Sequence, residues 1–271
     1  EATVEARMTN VSVSIDAVDA LLDGVSDLFF TARRGIDKRF ELQDLKYDGL
    51  GTIRLDGTVT GSSLEDAEVD GKLLVDVPNL APLSGVAGRQ MSGSVLANVD
   101  ATGQVMQGPL TLRGNARTQD VVTGLDRFDP LLTGRSDLQF DARRNADGLY
   151  TLSAFTYRGI GTITLDGTVT GTSLEDAAID GRVQADLPRL APLSGLAGRE
   201  MSGAVIADVT ASGTIMSGPL EVSGTASTRD VVLSLPSVDP LLAGTSSLRF
   251  AAERDAEGRY TLSDLNYDGV G

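Results

Sequence analysis

The chain has 271 residues, 41% hydrophobic but only 4% aromatic, with 31 glycines and a formal charge of -15. Cysteine and histidine are both absent, which removes disulfides, thiolate and imidazole metal sites, and the Ser-His and Cys-His relays of nucleophilic enzymes. The acidic balance argues against nucleic acid and anionic membrane surfaces as partners, because either would need a basic face.

The phrase LAPLSGVAGRQMSG, Leu80 to Gly93, returns as LAPLSGLAGREMSG from Leu190 to Gly203, a shift of 110 positions. Tyr47, Tyr157 and Tyr267 keep that spacing, as do Gly24, Gly134 and Gly244. About six positions in ten are identical between residues 51–160 and 161–270, so the chain reads as a repeat array. Residues 1–50 form a partial repeat, and 51–160 and 161–271 form full ones. Glu1 aligns with Thr111 and Glu221 in mid-unit, so the chain is expected to be a slice of a longer array. No apolar run reaches the ~18 residues of a spanning helix, and no signal peptide is visible.

In chain order, Asp19, Leu21, Leu22 and Gly24 read as a short helical turn. Each full unit then opens on an alternating strand. Ile53, Leu55 and Val59, or Ile163, Leu165 and Val169, share one parity, with Thr162, Thr164, Asp166, Thr168 and Thr170 on the other. Such alternation is the signature of a half-buried strand. The next strand places Val69, Leu73 and Val75, or Ile179, Val183 and Leu187, on the same side. The repeated phrase follows as a turn that Pro82 or Pro192 begins and Gly88 or Gly198 ends, with Leu83 and Val86, or Leu196, sharing a side. Val95 and Val99, or Val205 and Val209, carry the third strand; Leu110 and Leu112, or Leu220 and Val222, carry the fourth. Asp129-Pro130-Leu131-Leu132 closing at Gly134, and Asp239-Pro240-Leu241-Leu242 closing at Gly244, read as N-cap, N1 proline and terminating glycine around barely two turns. Leu138 and Phe140, or Leu248 and Phe250, mark the fifth strand. A sixth holds Tyr260 and Leu262, with a parity slip before Leu265 and Tyr267 that predicts a bulge.

Six strands per unit give about fourteen in all, each of ~30–45 Å at about 3.3 Å per residue. A sheet that wide curls rather than staying flat, which puts one parity inside. The fold class is therefore all-β, an elongated, curled antiparallel sheet (a β-taco, or U-shaped groove) with short one- to two-turn helices. The 24 aliphatic and aromatic residues named above at the inward parity, from Ile53 to Phe250, line that groove. They are too small to close it at interior density. An acyl chain fits the slot, at roughly 0.8 kcal/mol per buried methylene.

The run LDGTVTG with LEDAAIDGRVQADLPRLAPLSGLAGREMSGAVIADVTASG, followed by GPLEVSGTAS, resembles the repeats of TamB proteins in the AsmA-like superfamily. The resemblance implies a periplasmic body anchored in the inner membrane, with a hydrophobic groove that moves phospholipid towards the outer membrane. It also implies support of outer-membrane protein assembly beside a TamA-type barrel, through a region outside this chain. The competing reading is a tandem immunoglobulin-like stalk of a bacterial adhesin, since the period is near the size of one such domain. No relay supports an enzyme, and no cofactor is implied.

Arg34, Arg144 and Arg254 sit at inward parity at their strand ends. They either meet a lipid phosphate at the groove mouth, where a guanidinium suits bidentate pairing, or are solvated. Asp264-x-Asn266-x-Asp268-Gly269 fits the first half of a calcium loop, yet its equivalents are Asp44, Lys46 and Asp48, then Ala154, Thr156 and Arg158, and Leu55 stands where the closing Glu belongs. It reads as a solvated turn. Glu65-Asp66 and Glu175-Asp176 are adjacent carboxylates that a strand would point to opposite faces, and they read as exposed strand starts.

Overall fold

The computed structural model describes residues 1–10, 24–35, 39–63, 65–125, 129–173, 176–236 and 238–269. The chain is all-β. Residues 1–50 hold β1 (Ala2–Thr9), β2 (Val25–Arg34) and β3 (Phe40–Asp48). The first full repeat holds β4 (Thr52–Gly61), β5 (Glu68–Val77), β6 (Ser92–Gln104), β7 (Leu110–Val122), β8 (Arg135–Arg144) and β9 (Tyr150–Arg158). The second holds β10 (Thr162–Gly171), β11 (Ala178–Leu187), β12 (Ser202–Thr214), β13 (Leu220–Val232), β14 (Thr245–Arg254) and β15 (Tyr260–Gly269). Six strands per repeat is the expected number, and the partial repeat brings the total to fifteen. The turn expected around Asp19, Leu21 and Leu22 lies outside the described residues.

Contacts divide the chain into two units, Glu1–Leu125 with Leu132–Gly148, and Asp126–Leu131 with Leu149–Gly271. In the first, β1 to β8 form an antiparallel meander in which every strand pairs with its chain neighbours. In the second, β9 to β15 do the same. In neither unit do the strands close on themselves among the described residues. Among the described residues neither unit has the Greek-key crossover of an immunoglobulin sandwich.

Register brings the inward parity into rows across the strands. In the first unit Leu45, Leu55, Leu73, Val99, Gly114 and Phe140 lie side by side, next to a row of Tyr47, Ile53, Val75, Ala97, Ala116 and Leu138. In the second unit Phe155, Leu165, Val183, Val209, Gly224, Phe250 and Leu265 form the matching row. The opposite face carries Thr, Asp and Arg, tied by cross-strand ion pairs such as Arg113–Asp141 at 2.5 Å and Arg117–Asp137 at 2.8 Å.

The predicted bulge is present in β15, where the register against β14 slips at Ser263, and in β3, which spends an extra residue against β2 between Gln43 and Lys46. Between β9 and β10 the extra residue lies instead on β10, between Leu165 and Thr168. Bulges bend the strand and raise its twist. Gly57 faces Gly71 across β4 and β5, so close that a Cβ on Gly57 would stand 2.5 Å from the Gly71 Cα. Only a pair of glycines permits that approach.

Turns fold over one end of the strands and make the only fully buried apolar clusters among the described residues. Leu187, Leu190, Val231 and Leu242 form one, with Leu193, Met201 and Val238 packed on it. Val77, Leu80 and Val121 form its counterpart, joined by Leu83, Met91 and Leu132. The twice-written phrase thus has a physical task. Leu80 and Leu190 are its anchors, Ser84 Oγ ties Ala81 to Met91, and Gly88 and Gly198 end the turn at φ 63° and 64°. Leu196, expected to share a side with the preceding leucine of the turn, is exposed, whereas Leu193 and Met201 pack on the cluster of Leu190. The side chain of Val86 lies outside the described set. Asp239 also differs from expectation. It is the first residue of its 3-10 turn, with Val238 as the cap, and its carboxylate accepts from the Leu233 and Leu235 N–H groups.

Candidate functional site

The inward stripe is the feature that the fold presents most consistently. Of its 24 predicted members, Leu55, Leu165 and Leu187 are buried and all the others are half-buried; none is exposed. Alternation along each strand and register across strands therefore bring them onto one apolar face in each unit, flanked by the turn clusters at one strand end. Packed interiors bury such residues fully and fill every gap. Here the aliphatic surface keeps part of its area open.

At the other strand end the β6–β7 and β12–β13 hairpins carry Val105-Met106 and Ile215-Met216, whose side chains are exposed. These hairpins are held by Arg144 and Arg254. Arg144 Nε donates to the Gly108 carbonyl at 2.8 Å and Nη2 to that of Gln104 at 2.7 Å. Arg254 repeats the pattern on Gly218 at 2.7 Å and Thr214 at 2.5 Å, and each also reaches the two carbonyls between. The guanidinium is thus a hairpin clamp, spent on backbone oxygens that would otherwise be unpaired. Arg254 is 8% exposed, whereas Arg34 is exposed at the end of β2.

The other candidates resolve as local structure. Asp264, Asn266 and Asp268 lie within β15 rather than in a turn. Asp264 and Asp268, at the ends of the trio, stand about 13 Å apart along the strand, so the three cannot wrap one ion as a calcium loop does, and no metal-binding group occurs among the described residues. Asp66 lies in the β4–β5 turn, where its carboxylate accepts from the Ser63 N–H at 2.6 Å and the Ser62 N–H at 2.9 Å. Asp176 does the same with Ser173 and Thr172. Those donors hold both carboxyls well below the ordinary value of 3.8; the Ser63 N–H leads for Asp66 and the Thr172 N–H for Asp176. The turn is bound to the neighbouring hairpin, Val105 N–H to Ala67 carbonyl at 2.8 Å and Ile215 N–H to Ala177 carbonyl at 2.7 Å.

Two devices escape sequence reasoning. Asn10, Asp120 and Asp230 adopt left-handed backbone at φ 49°, 50° and 48°, and each carboxamide or carboxylate accepts from the N–H of Gly24, Gly134 or Gly244. Asn and Asp tolerate that region better than other side chains, and their recurrence every 110 positions is the signal that could have found them. Ser26, Ser136 and Ser246 are buried on the apolar face, and Ser246 bonds Thr228 at 2.6 Å. They too recur every 110 positions, but a small hydroxyl at an inward position does not announce burial by its residue type.

No family model, curated protein or solved structure matches this chain.

Proposed function

We propose that the chain is a segment of a periplasmic lipid-transfer bridge whose apolar stripe carries phospholipid acyl chains between inner and outer membranes, without catalysis. The observation that carries this reading is the half-buried state of the aliphatic stripe in both units. A surface of Val, Leu, Ile and Ala with no polar pocket binds methylenes without fixing their position, and ten of them would contribute about 8 kcal/mol of gross burial. That suits passage better than storage. The sequence's resemblance to TamB repeats supports the same reading, and brings with it an inner-membrane anchor and a TamA-type barrel partner, each through regions outside this chain. The acidic outer face keeps such a segment off anionic lipid surfaces.

Gentle purification from a Gram-negative host, followed by mass spectrometry of extracted lipid, tests it. Phospholipid should co-purify with the protein. Val183 and Val209 face one another on the apolar side, so V183D with V209D should lose the lipid. Ile206 is exposed on the other face, so I206D should keep it. Lipid-free protein, or equal lipid in both variants with circular dichroism unchanged, would sink the proposal.

A further inference from the structure

Five methionines hold all the sulfur of the chain, which has no cysteine, histidine or tryptophan. The thioether is therefore its side chain most open to two-electron oxidants such as peroxide, which convert it to a sulfoxide. The fold sorts the five into distinct settings. Met91 and Met201 are half-buried and pack on the turn clusters of Leu80 and Leu190. Met8 is half-buried on β1. Met106 and Met216 are 60% and 65% exposed, at the tips of the β6–β7 and β12–β13 hairpins.

Packing does not account for a methionine at either tip. The tips read QVMQGP at 104–109 and TIMSGP at 214–219. Gln104 has become Thr214, Val105 has become Ile215 and Gln107 has become Ser217, while Met, Gly and Pro stay. The backbone explains the glycines, which turn at φ 86° and 89°. It makes no such demand at Met106 or Met216. The Arg144 and Arg254 guanidinia hold the two methionines by their main-chain carbonyls alone, and the neighbouring Val105 and Ile215 are tied through their N–H groups to Ala67 and Ala177. A change at sulfur leaves every one of these contacts in place.

We propose that Met106 and Met216 are sites of reversible sulfoxidation, which consume peroxide at the hairpin tips and convert each tip from apolar to polar while the sheet stays folded. The sulfur lone pair attacks one oxygen of hydrogen peroxide. An S–O bond forms as the O–O bond breaks, the proton on the transferred oxygen passes to the departing hydroxide, and water leaves. Sulfur loses two electrons and the peroxide gains them. A methionine sulfoxide reductase supplied with a dithiol reverses the step: the oxygen leaves as water and the dithiol closes to a disulfide. At Met91 or Met201 the same oxidation puts a polar group into an apolar cluster and disrupts its packing. At the tips the new oxygen projects into water. Neither tip methionine belongs to the apolar stripe, so the inference stands apart from lipid carriage.

The test exposes the 271-residue protein to hydrogen peroxide and follows each methionine by mass spectrometry of proteolytic peptides. Met106 and Met216 should convert more than ~10-fold faster than Met91 and Met201. Protein oxidised at the two tips should keep its urea midpoint and elute earlier from a hydrophobic-interaction column. Reductases for both sulfoxide epimers, with dithiothreitol, should return the folded protein to its starting mass and elution. M106L with M216L should keep the parent midpoint, lose the fast phase of peroxide consumption and elute unchanged after the same exposure. Equal rates at the four sites, faster conversion of Met91 or Met201, a lower midpoint on tip oxidation, unchanged elution, or sulfoxide that the reductases cannot reach in the folded protein each overturns the proposal.

Discussion

Arg254 donates from Nε to the Gly218 carbonyl at 2.7 Å, across 36 residues of chain. The contact joins the end of β14 to the hairpin that precedes β13, and the rest of the guanidinium satisfies three more carbonyls of the same hairpin. Replacing it with Met keeps the stem and removes every donor. Hydrogen bonds from a charged group contribute about 1.5–3 kcal/mol, so R254M should lower the urea midpoint by an amount equivalent to ~2–3 kcal/mol. R34M, at an exposed strand end, should stay within about 0.5 kcal/mol of the parent. Equal effects at the two sites would show that the clamp contributes nothing.

Tyr157 is buried at the exit of β9, and its hydroxyl is used twice. It donates to the Leu131 carbonyl at 2.5 Å and accepts from the Ile160 N–H at 3.0 Å. Tyr267 repeats the donation to Leu241. Y157F removes the acceptor of the buried Ile160 N–H and one donor to the Leu131 carbonyl without changing the ring, which costs about 1–3 kcal/mol. Thermal melts should show that loss, and amide exchange at Ile160 should speed up. An unchanged Ile160 exchange rate would mean that water replaces the hydroxyl freely.

The architecture was legible because two independent periods reinforce one another. Period-two alternation at residues such as Ile163, Leu165 and Val169 sets the strand faces, and the 110-residue repeat aligns them from copy to copy. The bulge near Leu265 was legible as a broken alternation. What stayed hidden depends on contacts between distant segments. Nothing near Arg254 announces the carbonyls of residues 214–218, because those are backbone groups forty residues away, and parity alone placed the arginine at an open mouth. Asp66 looked like half of a carboxylate pair because the run was taken to continue as a strand; the Ser62 and Ser63 N–H groups turn it into a clasp. Leu196 looked like a partner of Leu193, yet it is Met201 that packs with Leu193 on the Leu190 cluster.

Acid should loosen the clasp turns before it disturbs the strands. The donors on Asp66 and Asp176 bind the ionised carboxylate, which is why both groups lie below the ordinary value of 3.8. A depressed folded value means that the contribution is complete above that ordinary value, and is lost as pH falls from there through the folded one. Amide exchange at Ser62, Ser63, Thr172 and Ser173, corrected for intrinsic rates, should be flat from pH 7 to 5 and rise below about 4. D66N should flatten the response at Ser62 and Ser63 while leaving Thr172 and Ser173 sensitive. A carboxyl titration midpoint for Asp66 at or above 3.8 would contradict the clasp.

The repeated phrase gives the sharpest contrast within one short segment. Leu190 is 3% exposed at the centre of a cluster with Leu187, Val231 and Leu242; Leu196, six positions on, is 38% exposed. Both are leucines in the same turn, so intrinsic propensity cancels and burial decides. L190A removes buried methylenes and leaves a cavity beneath the turn, which costs about 2–5 kcal/mol. L196A should change stability by less than ~0.5 kcal/mol. The corresponding L80A should behave like L190A, since Leu80 holds the same place between Val77 and Val121. Urea unfolding of the three variants decides it: similar losses for L190A and L196A would mean that the phrase is an exposed linker rather than the lid of a cluster.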